Sequence, residues 1–423
     1  MKKHIKFPLA FVNEVDNLLK DVYCKTLPRE KFFLFYETIE RVSAQHPEKT
    51  FRNIKARLKT QYLRTLLGRN YAKTIIDISI NYGIVSSDEH YIVGKKSKDY
   101  WISIPFQNKV NKEELAIQTE VTINDNKLYQ KIKKTYLRKN FDRKHWATFN
   151  MLNKIEFDEP SAIKWLSNLV NNGYFENNDT FNTHKYNVYQ RMINDMVEKK
   201  WCIVEDEKTG RIFHTFNLIK RELRNFCYVD GQKLVQSDLK SSQPYFLASR
   251  LLKLYPDNEN IIKFYNDVTQ KDIYQVLLDY YIKLNGSNEY NYIKLIKKDG
   301  HVINRKVIIK KFNNRNDIKP EFLKIMYKGI QGGATLLKIF KTEYPSVYNV
   351  LNKIKKNNKN ELPLTLQKDE ARIFISSYNE LKKHTWCLPV HDSIYTIENE
   401  YSLMINMLKD KFKKYNYKNY KLI

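Results

Sequence analysis

Apolar residues in this chain recur in two rhythms, one of strands and one of helices, and they change over at residues 233–252. Leu234 and Val235 lead to Asp238, after which Tyr245, Leu247, Ala248, Leu251 and Leu252 recur at helical spacing. The pattern predicts a buried strand ending at Asp238, a sharp turn, and a helix. Ser241 and Ser242 suit the N-cap, and Pro244 fits a first helical turn. Residues 388–398, LPVHDSIYTIE, read as strand, turn, strand, with His391 and Asp392 at the bend.

The same reading predicts helices over 25–43, 51–67 and 71–82, the last stopped by Gly83. Residues 83–105 then read as a hairpin with a basic tip at Gly94, Lys95, Lys96 and Lys98. Helices followed by a basic hairpin resemble a winged helix; a purely structural helical cap fits as well. Residues 111–200 are Asn-rich and largely helical, with a basic run at 131–140 and a loop or boundary at 171–182. Ile273, Val276, Leu277 and Tyr280 mark another helix, and 281–303 reads as a polar insertion with Gly286 and Gly300 as loop signals. In RNDIKPEFLKIMYKGIQGGA, Pro320 limits the helix: a start near Asn316 or Asp317 keeps proline in the first turn and leaves Arg315 at or before the cap.

Charge changes the picture. Lys and Arg number 74 against 47 Asp and Glu, a formal +27, which favours a polyanionic partner, nucleic acid ahead of an acidic membrane surface. The many aromatic rings offer faces on which bases could stack, although most rings in a globular chain are core. No secretory signal is read at the N-terminus, and no apolar run approaches bilayer length, so a membrane is not an expected partner. Cys24, Cys202, Cys227 and Cys387 are far apart, which indicates neither a disulfide framework nor a zinc site and points to a reducing cytoplasm.

Asp238 alone could merely cap a helix. Together with Asp392 it offers two carboxylates at strand ends, and hard divalent cations take oxygen ligands. Here the chain resembles family A (polymerase I-like) DNA polymerases and the single-subunit phage-type RNA polymerases. SDLKSSQPYFLA is similar to their motif A and VHDSI to their motif C, in the family's order. Arg315, Lys319 four later and Tyr327 eight after that match motif B spacing; the Gly after the family's Tyr is Lys328 here, with Gly329, Gly332 and Gly333 following, and Leu323 stands where the family has an aromatic base-stacker. Gly210-Arg211 resembles the Gly-Arg element before motif A. The resemblance covers roughly residues 205–398.

The resemblance implies an α+β, mostly helical fold: a right-hand polymerase palm with a small antiparallel sheet and inserted helical fingers, preceded by the basic, winged-helix-like N-terminal region. The implied divisions are 1–110, a helical thumb-like 111–204, and 205–423 with fingers at about 255–340. The implied activity is template-directed nucleotidyl transfer by a DNA polymerase of a plasmid, phage or mobile element, without proofreading. Asp238, the Leu239 carbonyl and Asp392 would hold two Mg2+ ions, with Mn2+ as a substitute. Arg315, Lys319, Tyr327 and Gln243 would bind the nucleotide, with Lys319 also counted as catalytic. Arg211, Arg224, Gln367 and His391 would contact primer-template. Partners are then DNA, nucleoside triphosphates and accessory replication proteins. Gln243 holds the place of a Glu that blocks a ribose 2′-hydroxyl in the DNA polymerases; its volume favours the same block, while its amide could instead hydrogen-bond that hydroxyl. An RNA polymerase or primase of the same fold, a non-catalytic DNA-binding replication protein, and a metal-dependent nuclease are the alternative readings.

Overall fold

The computed structural model describes residues 3–20, 27–44, 56–88, 98–102, 118–123, 143–177, 180–181, 183–298, 301–328, 334–358 and 360–423. The chain is α+β and mostly helical. It divides into two compact units, residues 1–204 with 214–233, and residues 205–213 with 234–423. The division falls beside Asp206, and none separates residues 1–110 from 111–204. Residues 214–233 belong to the first unit because they bury Phe216, Ile219, Leu223, Cys227 and Val229 there.

In the first unit β1 (Lys3–Pro8) leads into α1 (Leu9–Lys20) and α2 (Arg29–Ala44). Phe32, Phe33, Leu34, Phe35 and Tyr36 of α2 are all buried, so this helix is apolar on every side and forms the middle of its core. Then come β2 (Ala56–Arg57), α3 (Thr60–Leu67), α4 (Arg69–Asn81), β3 (Val85–Ser87) and β4 (Asp99–Ile102), with β4 pairing antiparallel to both β2 and β3. A strand thus takes residues 56 and 57 within the helix expected over 51–67. Gly83, at φ 71°, ends α4, with Gly83 N–H donating to Ile80 and Ile84 N–H to Ser79. The hairpin tip at Gly94, Lys95 and Lys96, the basic run at 131–140, and Gly329, Gly332 and Gly333 lie outside the described residues.

β5 (Gln118–Ile123) pairs with β1. α5 (Trp146–Asn153), β6 (Glu156–Phe157), α6 (Glu159–Asn171), β7 (Glu176–Asn177), β8 (Thr180–Phe181) and α7 (Thr183–Val197) follow. The stretch at 171–182 carries the small β7–β8 hairpin and is not a boundary between units. β9 (Ile203–Glu205) and β10 (Ile212–His214) flank a turn, and α8 (Thr215–Leu218) and β11 (Cys227–Val229) complete the unit's elements before β12 (Gln232–Asp238) carries the chain into the second unit.

The second unit continues with α9 (Ser242–Leu254), α10 (Glu259–Thr269), α11 (Ile273–Asn285), β13 (Glu289–Lys298), β14 (His301–Lys311), α12 (Arg315–Tyr327), α13 (Ala334–Glu343), α14 (Pro345–Asn357), α15 (Glu361–Leu381), β15 (Cys387–Val390), β16 (Ser393–Ile397) and α16 (Tyr401–Lys414). β16 pairs antiparallel with β15 on one side and β12 on the other. α9 packs on α10 and α15, and α15 packs on α16 and β15. Phe264, Phe322, Phe340 and Tyr344 form a ring-on-ring core among the helices between.

Two expectations are corrected here. Residues 281–303 hold more regular structure than a polar insertion with loop signals implies, although Gly286 does end a helix, at φ 69°, and Gly300 lies outside the described residues. α11 runs on to Asn285, and β13 and β14 form a two-stranded ribbon, so the region 255–340 is not wholly helical. β-branched and aromatic residues at Tyr290, Tyr292, Ile293, Val302, Val307, Ile308 and Ile309 favour strand over coil. α12 begins at Arg315 and carries Pro320 inside it, not in a first turn starting at Asn316 or Asp317. A reciprocal cap explains the earlier start. Asn314 accepts from Asn316 N–H at 2.8 Å, and the Asp317 carboxylate accepts from the N–H groups of Asn313 and Asn314 at 2.8 and 3.3 Å.

Candidate active site

β12 ends on Asp238, which lies opposite Ser393 in the register with β16. One residue back from Ser393 is Asp392, in the two-residue turn between β15 and β16, and Leu239 N–H donates to the Asp392 carbonyl at 3.1 Å. The strand pairing therefore brings Asp238, Leu239 and Asp392 together as neighbours from opposite ends of the unit's sequence. His391, the other turn residue, adopts φ 55°, an uncommon conformation for a residue with a Cβ, and its ring stands 5.5 Å from that of Phe213. Residues 421–423 cover the other edge of this strand end, with Asp238 N–H donating to Ile423 at 2.7 Å and Lys240 N–H to Lys421 at 2.9 Å.

The turn leading into α9 departs from its sequence signal. Ser241 is the N-cap residue but sits at φ 53° and makes no side-chain cap. Ser242 turns its hydroxyl to Glu370 on α15, donating to Oε2 at 2.8 Å. Gln243 Nε2 donates to the same oxygen at 2.5 Å, and Arg211 Nη2 donates to Oε1. On its other side Gln243 Oε1 accepts from the Tyr327 hydroxyl at 2.6 Å. Gln243, Ser242 and Arg211 thus meet at one buried carboxylate, with Tyr327 joined to it through Gln243.

Glu370 is only 1% exposed. Burial first, and the charge of Asp392 second, push its carboxyl up to about 7, against the pull of Arg211. Burial also raises the Asp392 carboxyl, with Arg211 and Lys319 opposing. Tyr327 is raised by burial and by the charge of Glu370, so its hydroxyl stays a donor. Two carboxylates whose charges are disfavoured in this way gain from any added cation.

No model of a known protein family matches this chain, and no curated protein matches it. Among the described residues, no group of three or more His, Cys, Asp or Glu gathers as a metal site. Asp238 and Asp392 with the Leu239 carbonyl are hard oxygen donors, and a magnesium ion is commonly held by one or two carboxylates with water and phosphate oxygens filling the rest. The donor set fits such an ion.

The remaining predicted residues fall in three groups. Lys319 is exposed on α12, its Nζ 6.0 Å from the centre of the Tyr274 ring, near enough for its charge to act on Asp392. Arg315, on the same helix, is partly engaged: its Nε lies 2.7 Å from Asp272 and its guanidinium 5.2 Å from the centre of the Tyr274 ring. Gln367 is half-buried on α15, three residues before Glu370 and so on an adjoining face of the helix. Arg224 belongs to the first unit, where it donates to the carbonyls of Phe216, Asn217 and Ile219 at 3.1–3.3 Å. Its guanidinium is held by the carbonyls of residues 216–219, a role in the fold that the sequence did not indicate.

Glu370 did leave a trace in the sequence. Leu366, Ile373, Phe374 and Ser377 form the buried stripe of α15, and Glu370 falls on that stripe at helical spacing from each. A carboxylate on an apolar face requires a partner.

Proposed function

We propose that the second unit is the catalytic part of a template-directed nucleotidyltransferase, a DNA polymerase of the family A type. The observation that carries the reading is the cross-strand adjacency of Asp238 and Asp392, joined by the Leu239–Asp392 backbone bond. A pair of magnesium ions, with manganese as a substitute, would supply acidity at a primer 3′-hydroxyl and charge at the departing pyrophosphate. Asp238, Asp392 and the Leu239 carbonyl would hold them. Lys319, exposed on α12, would place a positive charge on a triphosphate, and Arg315 would do so when released from Asp272. Arg211, His391 and Gln367 would contact the primer end and its template. An enzyme of this kind needs DNA, nucleoside triphosphates and, in a replication setting, accessory proteins.

The first unit supports a winged-helix-like role in holding duplex DNA. From α2 to β4 its order is helix, strand, two helices, two strands, with β4 between β2 and β3, and α4 exposes Arg69, Asn70, Lys73 and Thr74. Such side chains suit phosphate and base-edge contacts in a groove.

Primer extension on a DNA template tests the catalytic reading. Asp238→Ala and Asp392→Ala should each lower nucleotide incorporation about 10³-fold, equivalent to several kcal/mol of barrier. DNA affinity should hold or rise slightly, because each change also removes a repulsion toward phosphate. Near wild-type extension by either variant would refute the assignment.

A further inference from the structure

In the nucleotidyltransferase reading Gln243 would meet the nucleotide sugar, and its chemistry there depends on how its amide is oriented. Free to turn, a glutamine amide can donate to or accept from a 2′-hydroxyl and so welcome a ribonucleotide; held still, it is only bulk. Its surroundings remove the freedom. Arg211 and Ser242 both donate to Glu370, which holds it as an acceptor, so the amide NH2 faces it, at 2.5 Å. The amide oxygen must then face away, where Tyr327 donates to it at 2.6 Å. A flip would set the amide oxygen against the carboxylate, which is repulsive. Glu370 is itself held, by Arg211 on Oε1 and by Ser242 on Oε2, in a helix that contributes neither the paired aspartates nor the Lys319 face.

We propose that Glu370 is a positioning residue for sugar selection, which locks Gln243 between itself and Tyr327 so that the site excludes ribonucleotides by volume and takes deoxyribonucleoside triphosphates. The negative charge of the selecting position thus sits on α15, with an uncharged side chain at the surface that meets the sugar. This rests on the nucleotidyltransferase reading of the same site and adds its substrate class.

Single-nucleotide incorporation on a primed DNA template, with dNTP and NTP titrated separately, tests it on the full chain. In wild type, kcat/KM should favour dNTP. Glu370→Ala should release the amide and lower that preference about tenfold, the weight of one hydrogen bond, mainly through a fall in KM for NTP. Loss of a buried charge partner can unfold the site, so the exchange Gln243→Glu with Glu370→Gln provides a second arm. It restores a carboxylate and an amide to the same contact with their places swapped, and the dNTP preference should stay within about threefold of wild type. A wild type that uses dNTP while Glu370→Ala, folded by circular dichroism, leaves the preference unchanged overturns the positioning role alone. So does an exchange variant that is folded and active but has lost the preference. A wild type that prefers NTP also overturns it. A wild type that incorporates no nucleotide with either metal overturns the nucleotidyltransferase reading and this inference with it.

Discussion

Arginines in this chain divide by what their guanidinium groups already hold. Arg211 has one donor pair on Glu370 and a buried Nε with no hydrogen-bond partner in the protein, so it retains capacity for a ligand. Arg224 has three backbone carbonyls to satisfy and also packs over Phe216 at 5.4 Å. Removing it strands those carbonyls, and Arg224→Ala should cost about 2 kcal/mol of stability in the first unit. Urea unfolding monitored within that unit would measure this, while DNA affinity in the folded range should stay within about twofold. A large drop in affinity with unchanged stability would return Arg224 to the primer-template role read from its place in the sequence.

At the scale of elements, α12 balances a strong start against an internal fault. Pro320 offers no N–H to Asn316 and its ring crowds that carbonyl, while Asn314 and Asp317 close the first turn on each other. The capping box is what places Arg315 and Lys319 on the same helix, four residues apart. Asn314→Ala should therefore loosen α12 by about 1 kcal/mol, seen as roughly fivefold faster amide exchange along the helix. Pro320→Ala should act in the opposite direction by about 2 kcal/mol, the helix penalty relieved less the disorder proline removes from the unfolded chain. Exchange rates that do not respond to Asn314→Ala would mean that packing of Ile318 and Phe322 alone holds the helix start.

Over the whole molecule the excess of positive charge, +27, governs encounter more than recognition. Binding to DNA should weaken steeply with salt, the logarithm of the affinity falling linearly with the logarithm of salt concentration at about 0.9 per phosphate neutralised. Neutralising Lys131, Lys133 and Lys134 together should flatten that slope; an unchanged slope would leave the run as solvated surface. No helix among the described residues is long and apolar enough to cross a membrane.

The sequence by itself determined the strand before Asp238, the helix after it and the His391–Asp392 bend, because these follow from local periodicity and turn chemistry. It also marked most of the residues now found around one carboxylate, since the resemblance singled out Arg211, Gln243, Tyr327 and Asp392. Local signals misled where two of them competed: Ser241 and Ser242 look like caps, yet the buried Glu370 claims the Ser242 hydroxyl. The apolar residues of β13 and β14 are legible, but their lysines and the nearby Gly286 and Gly300 point to a polar insertion. Only the tertiary structure decided which way the Gln243 amide points, that Arg224 serves its own backbone, and that Glu370 joins residues 211, 242, 243 and, through Gln243, 327. The physical reason is that periodicity reports which face of an element is buried, whereas a buried polar group must be paired, and its partner comes from whichever distant segment the packing brings within hydrogen-bond reach.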